Sequence, residues 1–299
     1  MIVFPNCKIN LGLSILNKRT DGYHDLETVF YPLPLYDILE VILDSGYKMP
    51  DTVDQMQDAG YRMLDSDNDQ NKSSIQFTSS GFAINGNTGD NLCIKAFNLL
   101  KNDFPQVLRI QMHLHKAIPA GAGIGGGSAD AAFTLSLLNK IFQLNLSTRQ
   151  LINYALQPGS DCPFFIINQP CFATGRGEIL EQIKIDLSAY KFIIVNPGIH
   201  INTANAFLGI TPALPAKSVK EIIQQPIETW KNELINDFEK TVFKQHPEIE
   251  LIRKKLYECG AVYSSMSGSG STVYGIFEKD SAAKFNFPSS YFIKEIATV

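Results

Sequence analysis

A cluster of glycines stands out near the middle of the chain. Five glycines fall within residues 121–127, and Ser128 follows them directly. Apolar residues then recur at helical spacing over 131–142, so the loop is predicted to open a helix. Main-chain N–H groups in such a loop are free to face a ligand, with the positive end of the helix dipole behind them. The pattern favours a site for a phosphate chain over a loop whose glycines serve packing alone.

Three kinds of phosphate-binding loop have to be distinguished. The mononucleotide P-loop needs Gly-Lys followed by Ser or Thr, and the chain contains no Gly-Lys pair. The dinucleotide fingerprint is formally present at Gly121, Gly123 and Gly126, but it also needs an acidic residue about 20 positions later to bind ribose. No Asp or Glu occurs over 131–160. The loop of a small-molecule kinase is the remaining alternative.

The acid-free stretch ends at Asp161, the only carboxylate between Asp130 and Glu178. An apolar run follows it, and a carboxylate beside such a run is costly to ionise unless a cation or hydrogen-bond donors hold it. An aspartate shortly before Pro163 also suits the N-cap of a helix. The residues alone leave catalysis and capping open as compatible roles for Asp161.

A lysine near the start of the chain, Lys8, lies in a segment that alternates between apolar and polar residues over 2–13. This alternation predicts a strand with one buried face and one polar face. The polar face carries Asn6, Asn10 and Gly12 beside Lys8, and these small residues would suit the wall of a cleft. A lysine in a strand more often points to solvent, so the residues alone favour that interpretation.

The elements that must position these residues follow from periodicity and capping signals. Strands are predicted over 2–13, 35–43, 109–115, 191–195 and 272–277. Besides the helix after the glycine loop, helices are predicted over 91–101, 147–157, 219–224, 228–243 and 248–259. A second loop of small residues, 264–271, leads into the last of these strands.

The composition limits the class of protein. Of the 299 residues, 44% are hydrophobic and 19% are charged, as in a globular protein of about two domains. The formal net charge is −4, so no overall attraction to nucleic acid or to an anionic membrane is expected. The five cysteines include no C-x-x-C pair, and the first residues lack the pattern of a signal peptide. A reducing, cytoplasmic location is therefore expected.

Together, these motifs resemble the GHMP kinases, the superfamily of galactose, homoserine, mevalonate and phosphomevalonate kinases. The resemblance begins with the glycine-rich segment, residues 119–132. Four further segments narrow it to the branch whose members phosphorylate 4-diphosphocytidyl-2-C-methyl-D-erythritol, and they occur in the right order over nearly the whole chain. These segments are 6–13, 21–24, 159–165 and 266–270.

The resemblance implies a reaction in which the γ-phosphoryl group of ATP passes, with Mg²⁺, to the 2-hydroxyl of that acceptor in non-mevalonate isoprenoid biosynthesis. It implies that Lys8 and Asp161 form the catalytic pair. Asp161 would accept the proton of the attacking hydroxyl, and Lys8 would keep Asp161 ionised and orient the hydroxyl. Asn10 is implied beside that hydroxyl. The residues implied around the cytosine are Tyr23, His24 and Phe207.

The resemblance also implies where ATP binds. Asn91 and Lys116 match positions near the adenosine, although Lys116 by itself would be interpreted as a solvated strand end. Many members have two serines after the glycines, whereas here Ala129 replaces the second, so Ser128 alone supplies a hydroxyl to the phosphates or their Mg²⁺. The implied phosphate contacts are Pro119, Gly121, Ala122, Gly123, Ile124, Gly125, Gly126, Gly127, Ser128 and Ala129.

The implied fold is α+β, the two-domain GHMP kinase fold with its active site in the interdomain cleft. A ribosomal-protein-S5-like ATP-binding domain is expected over 1–183 and a ferredoxin-like C-terminal domain over 184–299. Residues 45–74 exceed what the resemblance predicts and are expected to form a surface insertion. The expected partner is a small molecule, cytidine diphosphate methylerythritol, with no nucleic acid and no membrane. The expected assembly is a monomer or weak homodimer.

Other classes of protein stay open. One is a GHMP kinase for a different alcohol or phosphate acceptor, against which the turn at 21–24 and Phe207 argue. Another is a non-catalytic nucleotide-binding protein of the same fold, which would normally lack Lys8 or Asp161. A dinucleotide-dependent oxidoreductase is disfavoured by the missing ribose-binding acid.

Overall fold

The computed structural model of the chain describes residues 1–43, 74–84 and 86–297. Its strands are β1 (Ile2–Val3), β2 (Asn6–Lys18), β3 (His24–Tyr36), β4 (Ile38–Leu43), β5 (Ile75–Gly81), β6 (Ile110–Lys116), β7 (Cys171–Thr174), β8 (Ile179–Gln182), β9 (Tyr190–Asn196), β10 (Tyr263–Met266), β11 (Val273–Glu278) and β12 (Phe292–Ala297). Its α-helices are α1 (Leu92–Asp103), α2 (Gly126–Ile141), α3 (Thr148–Ala155), α4 (Cys162–Ile167), α5 (Thr203–Leu208), α6 (Val219–Ile222), α7 (Ile227–Glu233), α8 (Phe238–Gln245) and α9 (Pro247–Glu258). None of these helices has the length and apolar character needed to cross a membrane.

The strands of the described residues form three sheets of four strands. The first has the order β1-β4-β6-β5, in which only β5 and β6 are parallel. The second, β2-β3-β7-β8, and the third, β10-β11-β9-β12, are antiparallel throughout. The mixture of sheets and helices confirms the predicted α+β class.

Helices α1 and α2 pack on the first sheet. Val41 and Met112 of the sheet share a core cluster with Phe97 of α1 and Leu135 of α2, and each is at most 1% exposed. Truncating a buried side chain of this size typically costs 2–5 kcal/mol, so this layer is firmly fixed. The glycine-rich loop runs from the end of β6 into α2 and is therefore anchored at both ends.

Strand β2 carries the polar residues around Lys8. The alternation predicts one polar face, but in the structure that face is buried as well, since Asn6, Lys8 and Asn10 are at most 4% exposed. The register against β3 shifts at Gly12, whose φ of +67° bends the strand. Lys8 therefore points into the molecule and not to solvent, which is the interpretation that the residues alone favoured less.

The strand predicted over 35–43 is interrupted at Asp37, between β3 and β4. Asp37 is fully buried, and its Oδ1 accepts the N–H groups of Ala117 and Ile118 at 2.7 and 2.9 Å. Its Oδ2 accepts a hydrogen bond from Lys116. The chain leaves strand geometry here because the side chain, and not the main chain, supplies these contacts across 79 to 81 positions.

The helix predicted over 228–243 is divided into α7 and α8. Between them, Asn236 donates through Nδ2 to the carbonyls of Met266 and Gly268 at 2.7 and 2.8 Å. Leu13 of β2 also pairs with this segment, donating to the Ile235 carbonyl at 2.8 Å. The apolar residues on the two sides pack in different core clusters, Trp230 with the second and third sheets and Phe238 with the other face of the third sheet, so the helical spacing of the sequence does not reveal the break.

Helix ends with local signals match their predictions more closely. The helix predicted over 91–101 is α1, and the Asn91 side chain caps it by accepting the N–H of Cys93 at 2.8 Å. Ser147 and Gln150 form the predicted capping box of α3. Gly260 follows α9 with a φ of +96°, as a C′ glycine does.

The second and third sheets share one core. Ile9 and Leu11 of β2 are clustered with Trp230 of α7 and Tyr274 of β11, all at most 2% exposed. The division into domains at 183 and 184 stays a prediction, since this core joins residues from both sides of it. The predicted surface insertion, 45–74, falls outside the described residues except for its last one.

Candidate active site

The glycine-rich loop needs glycine for two separate reasons. Gly123 and Gly125 have φ values of +80° and +73°, where other residues are strained. A Cβ on Gly125 would also lie 2.8 Å from Cζ of Phe165 and 3.1 Å from Cγ of Lys8. The loop thus passes close to the lysine, and a side chain at Gly125 would displace it.

The second loop of small residues lies directly on the first. A Cβ on Gly123 would be 2.5 Å from the Ser267 carbonyl oxygen and 2.7 Å from that of Gly270. The Ser267 hydroxyl donates to the Gly123 carbonyl at 2.8 Å, and the Thr272 N–H donates to the Ala122 carbonyl at 3.1 Å. The second loop is therefore both the hairpin between β10 and β11 and a support for the glycine-rich loop.

Lys8 connects the strand β2, the glycine-rich loop and the mid-chain carboxylate. Its main-chain N–H donates to the Ile124 carbonyl at 2.9 Å. Its Nζ lies 3.2 Å from Oδ2 of Asp161, donates to Oδ1 of Asn10 at 2.6 Å, and sits 4.3 Å from the centre of the Phe30 ring. The structure therefore brings together the two residues that the resemblance named as a catalytic pair.

Asp161 occupies the N-cap position of α4, but its side chain makes no capping hydrogen bond. Pro163, at the start of α4, has no N–H to offer. The carboxylate instead faces Lys8, and the side chains differ in exposure: 36% for Asp161 and 3% for Lys8. A buried ammonium thus holds one edge of a carboxylate whose other edge is open to the cavity.

Asn10 is fixed on every side. Its Nδ2 donates to the Thr28 hydroxyl at 3.0 Å, while its Oδ1 accepts from Lys8. Its main-chain N–H donates to the Ser267 hydroxyl at 3.2 Å, and its carbonyl accepts from the Tyr274 hydroxyl at 2.8 Å. The third sheet therefore holds the strand segment that presents Lys8.

A cavity of about 980 Å³ lies in front of these residues. Its wall includes Lys8, Asn10, Asp161, Ser128 and the glycines at 121, 123 and 125–127. A space of this size accommodates ligands larger than a single nucleotide. The expected phosphate loop and the expected catalytic pair therefore face one cavity.

The three residues implied around the cytosine also line this cavity. The rings of His24 and Phe207 stack on each other, with centroids 4.6 Å apart and an interplanar angle of 10°. Burial, and secondarily the charge of Lys18, lowers the pKa of His24, so this ring is neutral near pH 7. Tyr23 is 55% exposed and packs under the guanidinium of Arg176 at 4.9 Å.

The residues implied near the adenosine, Asn91 and Lys116, contact other parts of the protein, and their place beside an adenosine stays a prediction. Asn91 caps α1, and neither it nor Lys116 forms part of the described cavity wall. Lys116 is 3% exposed and forms ion pairs with Asp37 and Asp130, which are buried with it. Behind the loop, its Nζ would lie 3.3 Å from a Cβ placed on Gly126. Lys116 is therefore a buried support of the loop and not a solvated strand end.

The charged groups of this buried cluster shift the pKa values of Lys116 and Asp130. Burial alone would lower the pKa of Lys116, but the carboxylates of Asp130 and Asp37 outweigh it and raise that pKa. Burial raises the pKa of Asp130 above its usual range, and the nearby Asp37 adds to the effect while Lys116 opposes it. Oδ1 of Asp130 has no hydrogen-bond partner in the described structure. The cluster keeps α2 and the end of β6 in a fixed relation.

Other implied phosphate contacts differ in exposure. Ile124 and Ala129 are at most 1% exposed, and Pro119 is half-buried without reaching the described cavity wall. Ser128 is half-buried and lies near the Cys162 thiol. Burial raises the pKa of that thiol to about 12, so it stays neutral. In this stretch, the main chain and Ser128 are what a ligand can reach.

Several cavity residues were not singled out from the sequence. Thr28 holds Asn10, and Arg176 and His200 line the wall. Arg176 had a local signal, since it stands between two glycines in the segment Gly-Arg-Gly. For Thr28 and His200 the sequence offers no such signal, because only the fold brings them to the cavity.

Family comparisons match both halves of the chain. The family described as GHMP kinases N terminal domain matches residues 91–175, and the family described as GHMP kinases C terminal matches residues 217–285. Both matches fall in the order in which the resemblance placed the glycine-rich loop and the second loop of small residues.

Individual relatives are similar over almost their whole length. A protein of Bacteroides thetaiotaomicron named 4-diphosphocytidyl-2-C-methyl-D-erythritol kinase is 49% identical over 280 residues, which cover 94% of this chain and 93% of that protein. A protein of the same name from Parabacteroides distasonis is 44% identical, with 93% and 92% covered.

Solved structures are also similar to this chain over almost its whole length. The crystal structure of a 4-(cytidine 5'-diphospho)-2C-methyl-D-erythritol kinase matches with a TM-score of 0.73 and 28% identity, covering 92% of this chain and 90% of that one. A mevalonate kinase of Methanococcus jannaschii matches with a TM-score of 0.62 at 12% identity, covering 100% and 98%. At 12% identity, the match to the mevalonate kinase shows a similarity of fold alone.

Proposed function

The chain belongs to the 4-diphosphocytidyl-2-C-methyl-D-erythritol kinase family of the GHMP kinases, and we propose that it transfers the γ-phosphoryl group of ATP to the 2-hydroxyl of 4-diphosphocytidyl-2-C-methyl-D-erythritol. One observation carries the proposal for the site. The Lys8–Asp161 pair, 3.2 Å apart, faces the same cavity as the glycine-rich loop, to which the main chain of Lys8 is bonded.

Asp161 takes the role of general base. Its open edge faces the cavity and its other edge contacts Lys8, so an acceptor hydroxyl placed in the cavity would lie within reach of it. As the hydroxyl oxygen attacks the γ-phosphorus, its proton passes to the Asp161 carboxylate, and the bond from phosphorus to the β,γ-bridging oxygen breaks. A positioned base of this kind contributes about 10²–10⁴-fold to the rate.

Lys8 and Asn10 position the reacting groups. Lys8 is nearly fully buried, and its ammonium is shared between Asp161 and Asn10. This contact holds the carboxylate of the base in place and offers positive charge near the transferred group. Asn10 is itself fixed by Thr28, so the ammonium has one defined position.

The glycine-rich loop is proposed to hold the ATP phosphates through main-chain N–H groups, aided by the dipole of α2. Mg²⁺ prefers oxygen ligands and keeps several waters and phosphate oxygens, and the Ser128 hydroxyl on the cavity wall fits that donor set. When bound, the ion would neutralise charge on the phosphates. This chain's part is to offer Ser128 and the loop amides.

The acceptor's cytosine is proposed to bind at the end of the cavity formed by Tyr23, His24 and Phe207. A ring inserted between two others needs about 7 Å between their planes, which is two stacking contacts. The 4.6 Å between the His24 and Phe207 rings leaves no such space. Cytosine must therefore part these two rings or stack on an outer face of the pair, next to Tyr23.

The test is an assay of the purified protein with Mg·ATP and 4-diphosphocytidyl-2-C-methyl-D-erythritol, following ADP and the 2-phosphate product. We expect turnover by the wild type and, for Asp161→Asn, a loss of about 10²–10⁴-fold in kcat with ATP binding within a few-fold. The matched control is Asp186→Asn, which changes an exposed carboxylate in the segment between β8 and β9. It should leave kcat unchanged.

Two results would contradict the proposal. Product formation only with a different alcohol or phosphate acceptor would favour another GHMP kinase activity. Near-wild-type turnover by Asp161→Asn would remove that residue from the mechanism while leaving the overall reaction in place.

A further inference from the structure

Arg176 is a cavity-lining cation with no role in the chemistry described so far. It lies in the turn between β7 and β8, flanked by Gly175 and Gly177, whose φ values are +68° and +103°. The other lysine and arginine side chains on the described wall are Lys8, which contacts Asp161, and the exposed Lys18. Arg176 is also paired with Glu178, so the question is what the rest of its guanidinium can bind.

The turn of Arg176 lies close to both Asp161 and Tyr23. On one side, a Cβ placed on Gly177 would be 3.7 Å from Oδ1 of Asp161. On the other side, the Arg176 guanidinium carbon is 4.9 Å from the centre of the Tyr23 ring. Arg176 thus stands between the proposed base and the proposed cytosine contacts.

The guanidinium is held from one edge only. Its Nε donates to Oε1 of Glu178 at 3.3 Å, and the Arg176 main-chain N–H donates to Oε2 of the same carboxylate. Within the described residues, its terminal Nη groups have no hydrogen-bond acceptor. The side chain is 33% exposed, so these donors are accessible from the cavity.

We infer that Arg176 binds the diphosphate of the acceptor substrate, an inference that rests on the proposed function. In that acceptor the diphosphate separates the cytidine from the sugar alcohol, as Arg176 separates Tyr23 from Asp161. A guanidinium whose two Nη groups are free matches the geometry of phosphate oxygens and offers charge-assisted hydrogen bonds. It also offsets the repulsion that the Asp161 carboxylate exerts on an anionic acceptor, so Arg176 selects a nucleoside diphosphate derivative over an uncharged alcohol.

The competing explanation is that Arg176 only packs on Tyr23 and shapes its turn. The two explanations differ in what the side chain recognises. A packing role would affect every ligand that uses Tyr23, with or without phosphates. A diphosphate contact would affect only the ligands that carry phosphates.

The test is calorimetric titration with CDP and with cytidine, which need no turnover. We expect the wild type to bind CDP more tightly than cytidine. In Arg176→Gln, the affinity for CDP should fall about 10- to 100-fold, as for loss of charge-assisted hydrogen bonds, while that for cytidine should stay within about twofold. Arg176→Lys, which keeps the charge without the fork, should recover part of the difference.

The matched control is Arg19→Gln. Arg19 pairs with Asp21 and Asp25 in the neighbouring turn and is not part of the described cavity wall, so CDP and cytidine should bind as in the wild type. In kinetics, Arg176→Gln should raise the KM for the acceptor about 10-fold or more and leave the KM for ATP unchanged.

Three outcomes would overturn the inference: an equal fall in affinity for CDP and cytidine, an unchanged affinity for CDP, or a wild type that does not distinguish the two ligands. Failure of the proposed function would look different. It would appear as no turnover of the acceptor by the wild type, whatever Arg176→Gln does to CDP binding.

Discussion

The carboxylate of Asp161 shows how a local signal and a distant one combine at a single residue. Locally, it stands where an N-cap is expected, and the structure has it there without a capping bond. Its actual partner is Lys8, from the first long strand, at 3.2 Å. The residue types and their positions in the motifs were predictable, whereas their contact required the resemblance, because no periodicity relates a strand to a helix so far along the chain.

Lys116 shows the opposite case. From the residues alone it is a solvated strand end, and in the structure it is buried between Asp37 and Asp130. Its partners Asp37 and Asp130 lie 79 and 14 positions away, and nothing in the sequence around Asp37 indicates that it pairs with Lys116. Burial of a charged triad cannot be inferred from residue types that are usually exposed.

At the residue scale, we predict that Asp37→Ala lowers the free energy of unfolding by about 3–5 kcal/mol, the usual cost of breaking a buried ion pair. The reason is that Asp37 is fully buried, so two main-chain N–H groups would lose their acceptor and Lys116 would keep only Asp130 as a partner. Urea unfolding followed by circular dichroism measures the change.

The matched control is Asp90→Ala, which removes one partner of an ion pair with Lys95 whose side chains are 67% and 45% exposed. We expect less than about 1 kcal/mol there, as for surface pairs. Equal effects of the two substitutions would contradict a structural role for the buried cluster.

At the scale of elements, the glycine-rich loop and the helix that follows it were the most predictable part of the site. A run of glycines before an apolar helical stripe is a local pattern, and the capping box at Ser147 is another. The divided helix at Asn236 was not predictable, since its cause is a pair of hydrogen bonds to the second loop of small residues. Local sequence patterns thus predict the glycine-rich loop but not the contacts that support it.

We predict that Gly125→Ala destabilises the protein by more than the cost of a positive φ alone. That cost is about 1–2 kcal/mol, and the contacts at 2.8 and 3.1 Å with Phe165 and Lys8 should add about 1–3 kcal/mol. Turnover should also fall, because the new methyl group displaces Lys8 from Asp161. Urea unfolding and the kinase assay measure the two effects.

Gly260→Ala isolates the backbone cost, since Gly260 has a φ of +96° and no atom within 4 Å of an added Cβ. It should cost about 1–2 kcal/mol and leave turnover unchanged. If Gly125→Ala behaved like this control in both measurements, the close approach of the loop to Lys8 would have no functional consequence.

At the scale of the whole molecule, the two halves are joined through β2. Its residues pack in one core with Trp230 and Tyr274, and the Tyr274 hydroxyl donates to the Asn10 carbonyl. The α+β fold was predictable from the resemblance. The core that the two halves share was less predictable. The polar face of β2 suggested an exposed surface, whereas the third sheet covers it.

We predict that this protein unfolds in one cooperative transition despite its two family domains, because a shared core couples them. Trp230 is the only tryptophan, is 2% exposed, and reports the C-terminal half by fluorescence. Far-UV circular dichroism reports both halves. In urea, the two midpoints should coincide within error. A fluorescence transition well separated from the loss of helix signal would show that the halves unfold independently.

The contact between the two loops of small residues also affects how easily a substitution could make the protein resistant to an inhibitor. At Gly123, the space for a side chain is occupied by carbonyl oxygens of the opposing loop, and much of the reachable surface of the glycine-rich loop is main chain. A compound that occupies those amides binds atoms that every amino acid carries. A substitution at Gly123 can alter such a contact only by bending the loop, so resistance at this position would carry a cost in activity.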